Sequence, residues 1–364
     1  MAAKLEQFGK RVMSGQVTGL PGATLRGLLR CAEPVYAGVM RRRNNRFESG
    51  KKESISLDRP TISVGNITSG GTGKTPMVRL ICQLLIQQNV KPAVLMRGYR
   101  ATEGGVSDEQ MMLQQFLGES AVIEANPDRV AGAAAALAKS PGIGAFILDD
   151  GFQHRRVKRD LDIVLVSAIE PFGYGHVLPR GLLREPLDGL RRAGCVIITH
   201  ARRVSDEKLE AIKTELRKHY PDGPIYHADH GPTGFRSHKT PSFAPVDRSI
   251  DALRDKPVLA FCGLGDPSVF VEQLKELGAR VLEMKAFKDH HDYTKDDLTH
   301  LYDRATAVGA KAIITTEKDW VKVQRLPLQV GSTPIWRLDV VIRFWWSDES
   351  LLLEQIKSTI AKKS

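Results

Sequence analysis

The sequence predicts an α/β fold, in which a mostly parallel sheet is followed by a second, smaller α/β domain. Two observations predict it. Apolar, strand-like runs alternate along the chain with segments of helical periodicity, which is the pattern of βαβ units. After a stretch rich in Pro, Gly, His and Asp at 220–256, a shorter series of the same kind follows. The chain of 364 residues is long enough for two domains of ordinary size.

These patterns divide the chain into four parts: a basic N-terminal segment at 1–52, a main domain at 53–222, a linker at 223–256 and a smaller α/β domain at 257–364. In the main domain the predicted strands are 61–66, 92–97, 121–125, 144–149, 161–167 and 195–200, and the predicted helices are 76–88, 108–118, 127–139 and 205–219. In the smaller domain, strands 257–262, 280–284 and 311–315 alternate with helices 268–277 and 295–308.

The N-terminal segment concentrates the positive charge of the chain. Residues 1–52 contain eleven Lys or Arg and three Asp or Glu, a net of +8 out of a formal +11. Apolar residues recur at near-helical spacing from Leu25 to Met40, and Arg41, Arg42, Arg43 and Arg46 follow them. Such a basic amphipathic helix favours an anionic membrane surface. A helix packed on the protein's own core with a solvated face is the alternative, and Pro34 is expected to kink or split the helix.

Several classes of protein and site are not expected. The charge outside the N-terminal segment is nearly balanced, which argues against a nucleic-acid-binding face. The four cysteines form no C-x-x-C pair, so neither a zinc site nor a disulfide framework is indicated. No apolar run reaches the roughly 18–20 residues that span a bilayer. Charged residues interrupt the apolar residues of the extreme N-terminus, so we do not expect a signal peptide there. We expect a cytoplasmic protein that works as a monomer.

A glycine-rich segment between the first predicted strand and the following helix is the predicted nucleotide-binding loop. Its residues are Thr68, Ser69, Gly70, Gly71, Thr72, Gly73, Lys74 and Thr75. The segment matches the P-loop pattern except that Thr68 replaces the first glycine. In such a loop, backbone N–H groups surround phosphate oxygens, the lysine reaches the β- and γ-phosphates, and the Thr75 hydroxyl can ligate Mg²⁺. The strand before and the helix after it favour this interpretation over a chance glycine turn, and make the fold P-loop NTPase-type.

A second motif is acidic. The predicted strand at 144–149 runs into two adjacent carboxylates, Asp149 and Asp150. An acidic pair at a strand end is often only a turn or a helix cap. Downstream of a P-loop, however, a parallel strand of this kind delivers a carboxylate to the Mg²⁺ beside the phosphates. Together the two motifs predict an ATP-binding site with magnesium.

In their order along the chain, these motifs resemble the tetraacyldisaccharide 4'-kinases of lipid A biosynthesis. The resemblance covers residues from about 60 to 320. The matching pieces are Val64-Gly-Asn-Ile-Thr-Ser-Gly-Gly-Thr-Gly-Lys-Thr-Pro76, Arg97-Gly-Tyr99, Asp108-Glu109, Asp149-Asp-Gly-Phe-Gln-His154, Leu178-Pro179, Leu183-Arg-Glu-Pro186, Phe261-Cys-Gly-Leu-Gly265, Asp289-His-His291 and Thr315-Thr-Glu-Lys-Asp319.

The resemblance implies a reaction and a place. The reaction is transfer of the ATP γ-phosphate to the 4'-hydroxyl of a lipid-linked disaccharide, tetraacyldisaccharide 1-phosphate, to form lipid IVA. The place is the cytoplasmic face of the bacterial inner membrane, where the N-terminal segment would make the protein peripheral to an anionic surface. Two alternatives stay open: a kinase for another membrane-borne sugar or polyprenyl acceptor, and a P-loop ATPase switch or metallochaperone.

The resemblance also implies site residues. Asp108 would be the general base and His290 its partner from the second domain, with Lys74 on the transferred phosphate. Thr75, Asp149, Asp150 and Glu185 would form the metal environment. From the pattern alone, Asp108 is an acidic residue in the first turn of a helix, where the helix dipole favours such residues, and Glu185 could form a surface ion pair. A histidine such as His290 could be an ordinary surface residue.

Overall fold

The structure, a computed structural model, describes residues 2–98, 106–237, 246–264, 267–289, 291–327 and 333–363, with side chains from residue 8 onward. His290 lies outside the described residues, as do Tyr99 and Gly265 of the family-like motifs. The chain forms two compact units. Unit 1 comprises Met1–Arg97, Ser120–His230 and Ile342–Ser364, and unit 2 comprises Gly98–Glu119 and Gly231–Val341.

Strands and helices alternate along the described chain, which confirms the predicted α/β class. The strands are β1 (Thr61–Asn66), β2 (Pro92–Met96), β3 (Val122–Ala125), β4 (Ala145–Asp149), β5 (Leu161–Ser167), β6 (Cys195–Thr199), β7 (Ile225–Ser237), β8 (Pro257–Cys262), β9 (Arg280–Ala286), β10 (Ala312–Thr316) and β11 (Ile335–Phe344). The helices are α1 (Ala2–Met13), α2 (Gly19–Glu48), α3 (Lys74–Gln87), α4 (Asp108–Leu117), α5 (Arg129–Lys139), α6 (Asp206–His219), α7 (Pro267–Glu276), α8 (Lys295–Ala307), α9 (Glu317–Val323) and α10 (Asp348–Ala361).

Unit 1 is built on a parallel sheet with the strand order β3-β2-β4-β1-β5-β6-β7. Every residue of β1 and β5 is buried, as expected for central strands that are covered on both faces. In the register of β1 and β4, Val64 lies beside Asp149. The segments that follow these two strands therefore begin at the same edge of the sheet, which is where open α/β sheets bind ligands.

Unit 2 has a smaller parallel sheet with the order β11-β10-β8-β9. Its core includes Phe261, Leu301 and Trp320 on one side of the sheet and Phe270 and Trp336 in a second cluster. A capping box at Thr294 starts α8, because the Thr294 hydroxyl and the Asp297 carboxylate satisfy each other's backbone N–H groups. This is the second α/β body that the sequence predicts after residue 257.

The residue ranges of the two units differ from those drawn on the sequence. Much of the predicted linker at 223–256 is strand β7, in which Tyr226, Ala228 and Phe235 are buried. The C-terminal residues from 342 onward belong to unit 1, where Asp348 accepts a hydrogen bond from the His227 backbone at 2.7 Å. Helix α4, between β2 and β3 in sequence, belongs to unit 2. In each case, pairing between distant segments decides the assignment.

Helix α2 continues through Pro34 as one helix from Gly19 to Glu48 and is not split. Contacts on both sides of the proline hold it in place. Before it, Glu33 accepts a hydrogen bond from Arg180 at 2.9 Å, and after it Ala37 is buried. No helix among the described residues is long and apolar enough to cross a membrane.

Candidate functional site

The P-loop turns sharply just before α3, at Gly73. This residue has φ = +84°, a left-handed conformation that L side chains rarely adopt. A Cβ at this position would also collide with the imidazole ring of His230. Glycine is therefore required at 73 for two independent reasons, and the backbone N–H groups that follow open the N-terminus of α3, where a phosphate is favoured by the helix dipole.

Neighbouring strands hold the P-loop in this conformation. The Thr199 hydroxyl, at the end of β6, donates a hydrogen bond to the carbonyl of Thr72 at 3.1 Å. The Asn66 amide, at the end of β1, donates to the carbonyl of Thr68 at 2.7 Å. On the other side, the Ser69 N–H donates to the carbonyl of Leu182 at 2.7 Å. The loop is thus held by hydrogen bonds to β1, β6 and the segment before Leu183.

The rings of His230 and His200 stack beside the loop, with their centroids 4.5 Å apart. Burial, the neighbouring His200 and Arg203 lower the pKa of His230 to about 3. Burial and Arg203 also lower the pKa of His200, against the opposing effect of Asp229. Both imidazoles are therefore neutral at physiological pH and pack against the turn at Gly73 as uncharged rings.

Lys74 connects the P-loop to the acidic end of β4. Its Nζ lies 3.6 Å from Oδ1 of Asp150 and donates to the Asn66 side-chain oxygen at 3.3 Å. Arg184 donates to both oxygens of Asp150 at 2.8 Å. Burial opposes ionisation of Asp150, but Lys74 and Arg184 hold the pKa of its carboxyl below the ordinary value. The site thus combines two cations with the ionised Asp150 and, next to it, Asp149.

Glu185 lies in a buried network rather than at the surface. Its side chain is 1% exposed, and it accepts hydrogen bonds from Asn44 at 2.8 Å, Gln153 at 3.0 Å and Arg192 at 2.8 Å. Gln153 also donates to the carbonyl of Asn66 at 3.0 Å. The surface ion pair considered from the sequence is therefore wrong. The network links α2, the segment after β4 and the end of β1.

Arg129, at the start of α5, is buried as well. Its guanidinium donates to the carbonyl of Asn126 at 2.8 Å. Burial lowers the pKa of Arg129, while Asp149 and Asp150 act in the opposite direction. An arginine at a helix start is ordinarily solvated. Here the buried Arg129 is instead a third cation, after Lys74 and Arg184, near Asp149 and Asp150.

Asp108, the predicted general base, lies in unit 2 at the first turn of α4. Ser107 caps this helix by accepting a hydrogen bond from the Gln110 N–H at 3.3 Å. The Asp108 carboxylate is buried and forms an ion pair with Lys322 of α9, with 2.9 Å between Nζ and Oδ2. Since His290 is not among the described residues, a contact between Asp108 and His290 stays a prediction.

Sequence reasoning missed several residues that the structure brings to these sites: Asn44, Asn66, Arg184, Arg192, Thr199, His230 and Lys322. Two of them carried a signal, because Asn66 and Arg184 stand inside the motifs that resemble the 4'-kinase family. The others carried none. Lys322 and His230 are single polar residues in ordinary helix and strand patterns, and only the folded chain brings them next to Asp108 and Gly73.

Comparison with known proteins places the whole arrangement in one family. The family model described as Tetraacyldisaccharide-1-P 4'-kinase matches residues 25–361. A protein of Halothermothrix orenii named tetraacyldisaccharide 4'-kinase is 33% identical over 348 residues, which is 89% of this chain and 90% of the relative. A protein of Anaeromyxobacter sp. (strain K) with the same name is 35% identical over 335 residues, which is 88% of this chain and 86% of the relative.

Among solved structures, LpxK from Aquifex aeolicus in complex with ATP matches with a TM-score of 0.70 at 27% sequence identity. The match covers 92% of this chain and 99% of that one. The sequence matches and the structural match agree with each other, and the family model spans the P-loop, the acidic pair and Asp108. This chain belongs to the tetraacyldisaccharide 4'-kinase family.

Proposed function

We infer that this chain transfers the γ-phosphate of ATP to the 4'-hydroxyl of tetraacyldisaccharide 1-phosphate, the step that forms lipid IVA in lipid A biosynthesis. Membership of the family supports the activity. The structural observation that carries it is the approach of Lys74 to Asp150 at 3.6 Å, which joins the P-loop to the acidic strand end at one edge of the unit 1 sheet. A phosphate-binding loop beside such a strand end suits a nucleoside triphosphate.

On this proposal, the eight residues from Thr68 to Thr75 bind the ATP phosphates. Lys74 neutralises charge on the γ-phosphate as it is transferred, and Arg184 keeps Asp150 ionised and in place beside it. Because the loop is already fixed by Thr199 and Asn66, little reorganisation is needed when the nucleotide binds.

The donor set beside the P-loop fits Mg²⁺, which prefers hard oxygen ligands. Thr75 offers a hydroxyl at the start of α3, and Asp149 offers a carboxylate at the end of β4. In the structure, the Asp150 oxygens accept hydrogen bonds from Arg184. The Glu185 oxygens accept hydrogen bonds from Arg192 and from two side-chain amides. We therefore assign ligation to Thr75 and Asp149 and place Asp150 and Glu185 around them. When bound, Mg²⁺ neutralises charge on the phosphates.

Asp108 is proposed as the general base. A sugar hydroxyl is a poor nucleophile, and a carboxylate that accepts its proton makes the attack on phosphorus easier. The proton of the 4'-hydroxyl passes to Asp108 as the new P–O bond forms, and the electron pair of the broken P–O bond leaves with ADP. His290 is the proposed partner of Asp108.

The direct test is transfer of label from γ-labelled ATP to purified tetraacyldisaccharide 1-phosphate in detergent micelles. We expect label in the lipid with the natural chain, and loss of that label with Asp149→Asn or when EDTA is added. Label released only as free phosphate, whether or not lipid is present, would instead indicate the ATPase switch. Transfer only to a different sugar or polyprenyl lipid would retain the kinase and reject this acceptor.

We also propose that α2 seats the chain on an anionic membrane. One face of the helix is fixed to unit 1, where Ala37 and Met40 are buried and Tyr36 donates to the carbonyl of Arg184 at 2.8 Å. The opposite face presents an apolar stripe in which Leu20, Leu28, Val35 and Val39 are 79%, 68%, 68% and 60% exposed.

A basic end completes this face. Where the stripe ends, Arg42, Arg46 and Lys51 line a shallow depression at the C-terminal end of α2. Apolar side chains next to arginines suit the boundary between acyl chains and anionic headgroups. The helix packed on its own core and the membrane helix, which the sequence left as alternatives, are in this proposal two faces of one helix.

Vesicles that contain phosphatidylglycerol test this proposal by co-sedimentation. The triple variant Leu28→Ser, Val35→Ser, Val39→Ser is expected to lose most of its binding without a lower melting temperature, because these side chains are already exposed. Leu351→Ser, which alters a 45% exposed leucine on α10, is the matched control and should bind normally. Undiminished binding by the triple variant would exclude α2 as the contact surface.

A further inference from the structure

A buried lysine in unit 2 has no role in the function described so far. Lys322, on α9, is 9% exposed, and its partner Asp108 is 4% exposed, with 2.9 Å between Nζ and Oδ2. A lysine is almost never buried to this extent unless it is paired. The pair joins α9 to α4, two helices of unit 2 that pack against each other.

The same ammonium group reaches a third segment. Lys322 Nζ donates to the carbonyl of His291 at 3.1 Å and lies 3.6 Å from Oδ1 of Asp292. Since His291 directly follows His290 in the chain, Lys322 connects the carboxylate of the proposed base to the segment that carries its proposed partner.

Helix α9 is a rigid support for this lysine. Asp319, one turn before Lys322 and buried, accepts hydrogen bonds from the Gly263 N–H at 3.0 Å and the Tyr293 hydroxyl at 2.9 Å. It also accepts one from the Thr316 hydroxyl, which caps the helix, at 2.6 Å. The end of β8, the 291–293 segment and α9 are therefore tied together, and the position of Lys322 is fixed with them.

We propose that Lys322 is a positioning residue for phosphoryl transfer, one that holds the Asp108 carboxylate ionised and fixed in place through its contacts with His291 and Asp292. The inference rests on the proposed function, in which Asp108 accepts the proton of the acceptor hydroxyl.

The physical reason is electrostatic. Burial by itself favours the protonated form of a carboxyl group, and a protonated Asp108 cannot accept a proton. A cation in contact with the carboxyl group restores its charged form. The ammonium group of a lysine has three N–H donors, so it can donate to other acceptors while it holds the carboxylate in place. Among the described residues around this pair, Glu109 of α4 and Asp292 are acidic. Arg337 of β11, which lies over the Phe116 ring of α4 at 5.0 Å, is paired with Asp339 at 2.6 Å.

The test compares Lys322→Met, Lys322→Arg and Lys318→Met in the transfer assay over a range of pH. Lys322→Met should lower kcat by at least about tenfold without changing KM for ATP. The acid limb, the low-pH side of the curve of kcat against pH, should move to higher pH by about one unit or more in this variant. The reason is that a carboxylate that loses a cation neighbour is protonated more readily. Lys322→Arg should recover much of kcat and return the acid limb to its position in the natural chain. Lys318→Met removes a lysine of the same helix whose partner is Asp289 at 2.7 Å, and should leave the acid limb in place.

The outcomes separate this inference from the proposed function. A natural chain that does not phosphorylate the lipid rejects the function itself. A natural chain that does, together with an Lys322→Met variant whose acid limb is unmoved, rejects the inference and leaves the function standing. A melting temperature that falls while the pH profile stays the same marks the ion pair as purely structural, which also overturns the inference. If Lys322→Met does not fold, Lys322→Gln takes its place, and an unmoved acid limb in a folded Lys322→Gln variant rejects the inference.

Discussion

Replacing Lys74 by alanine is expected to lower kcat/KM for ATP by at least about 100-fold and to weaken binding of an ATP analogue in calorimetry. Lys74 is the cation at the turn into α3, and it touches both Asn66 and Asp150. Without it, charge on the transferred phosphate loses its nearest compensation. Asp150 loses one of the two cations that stabilise its ionised form, so binding and turnover both suffer.

Lys218→Ala is the matched control for this variant. Lys218 is a surface lysine of unit 1, on α6, whose partner is Glu215 at 2.6 Å, and exposed pairs of this kind contribute little to stability. Its removal should leave kinetics and melting temperature as in the natural chain. Normal ATP affinity in Lys74→Ala would place the phosphates elsewhere and contradict the assignment of the P-loop.

Asp108→Asn is expected to lower kcat by about 10²–10⁴-fold while the dissociation constant of an ATP analogue stays unchanged. The asparagine has nearly the same shape but cannot accept the proton of the acceptor hydroxyl. Asp108 belongs to unit 2 and the P-loop to unit 1, so the nucleotide contacts of unit 1 remain intact. Steady-state transfer assays and calorimetry measure the two effects separately.

Glu109→Gln serves as the control for Asp108→Asn, because Glu109 is the neighbouring acidic residue in the same helical turn. If the role of Asp108 were only to stabilise the helix dipole, the two variants would behave alike. Because Asp108→Asn removes the nearer of the two carboxylates that face the buried Lys322, its melting temperature must be recorded as well. Near-normal turnover in a folded Asp108→Asn would remove Asp108 from the role of base.

Local signals predicted most individual elements of this fold. Strand β1 has its predicted bounds, Thr61–Asn66, because β-branched residues alternate with small ones before a glycine-rich turn. Helix α3 begins at Lys74, two residues before the predicted start, since Gly73 adopts a left-handed conformation and Lys74 is already helical. Helix α4 begins at its predicted start, Asp108.

Long-range contacts limited the prediction of domains. Helix α4 reads as part of the first domain because it lies between two of its strands in sequence. In the structure its Asp108 pairs with Lys322, more than two hundred positions further along the chain, and this places α4 in unit 2. Strand β7 lies in the segment that the sequence assigns to a linker with short extended stretches, and it forms because β6 pairs with it, with Ile198 opposite His227.

By itself, the sequence determined the class of fold, the P-loop, the acidic strand end and the family, because these depend on residues close together in the chain or on motifs in a fixed order. Only the tertiary structure decided which groups act together there: Arg184 on Asp150, His230 against Gly73, and Lys322 on Asp108. The physical reason is that burial and charge neutralisation depend on distance in space. A lysine becomes a partner for a carboxylate when folding places the two 2.9 Å apart in a buried position.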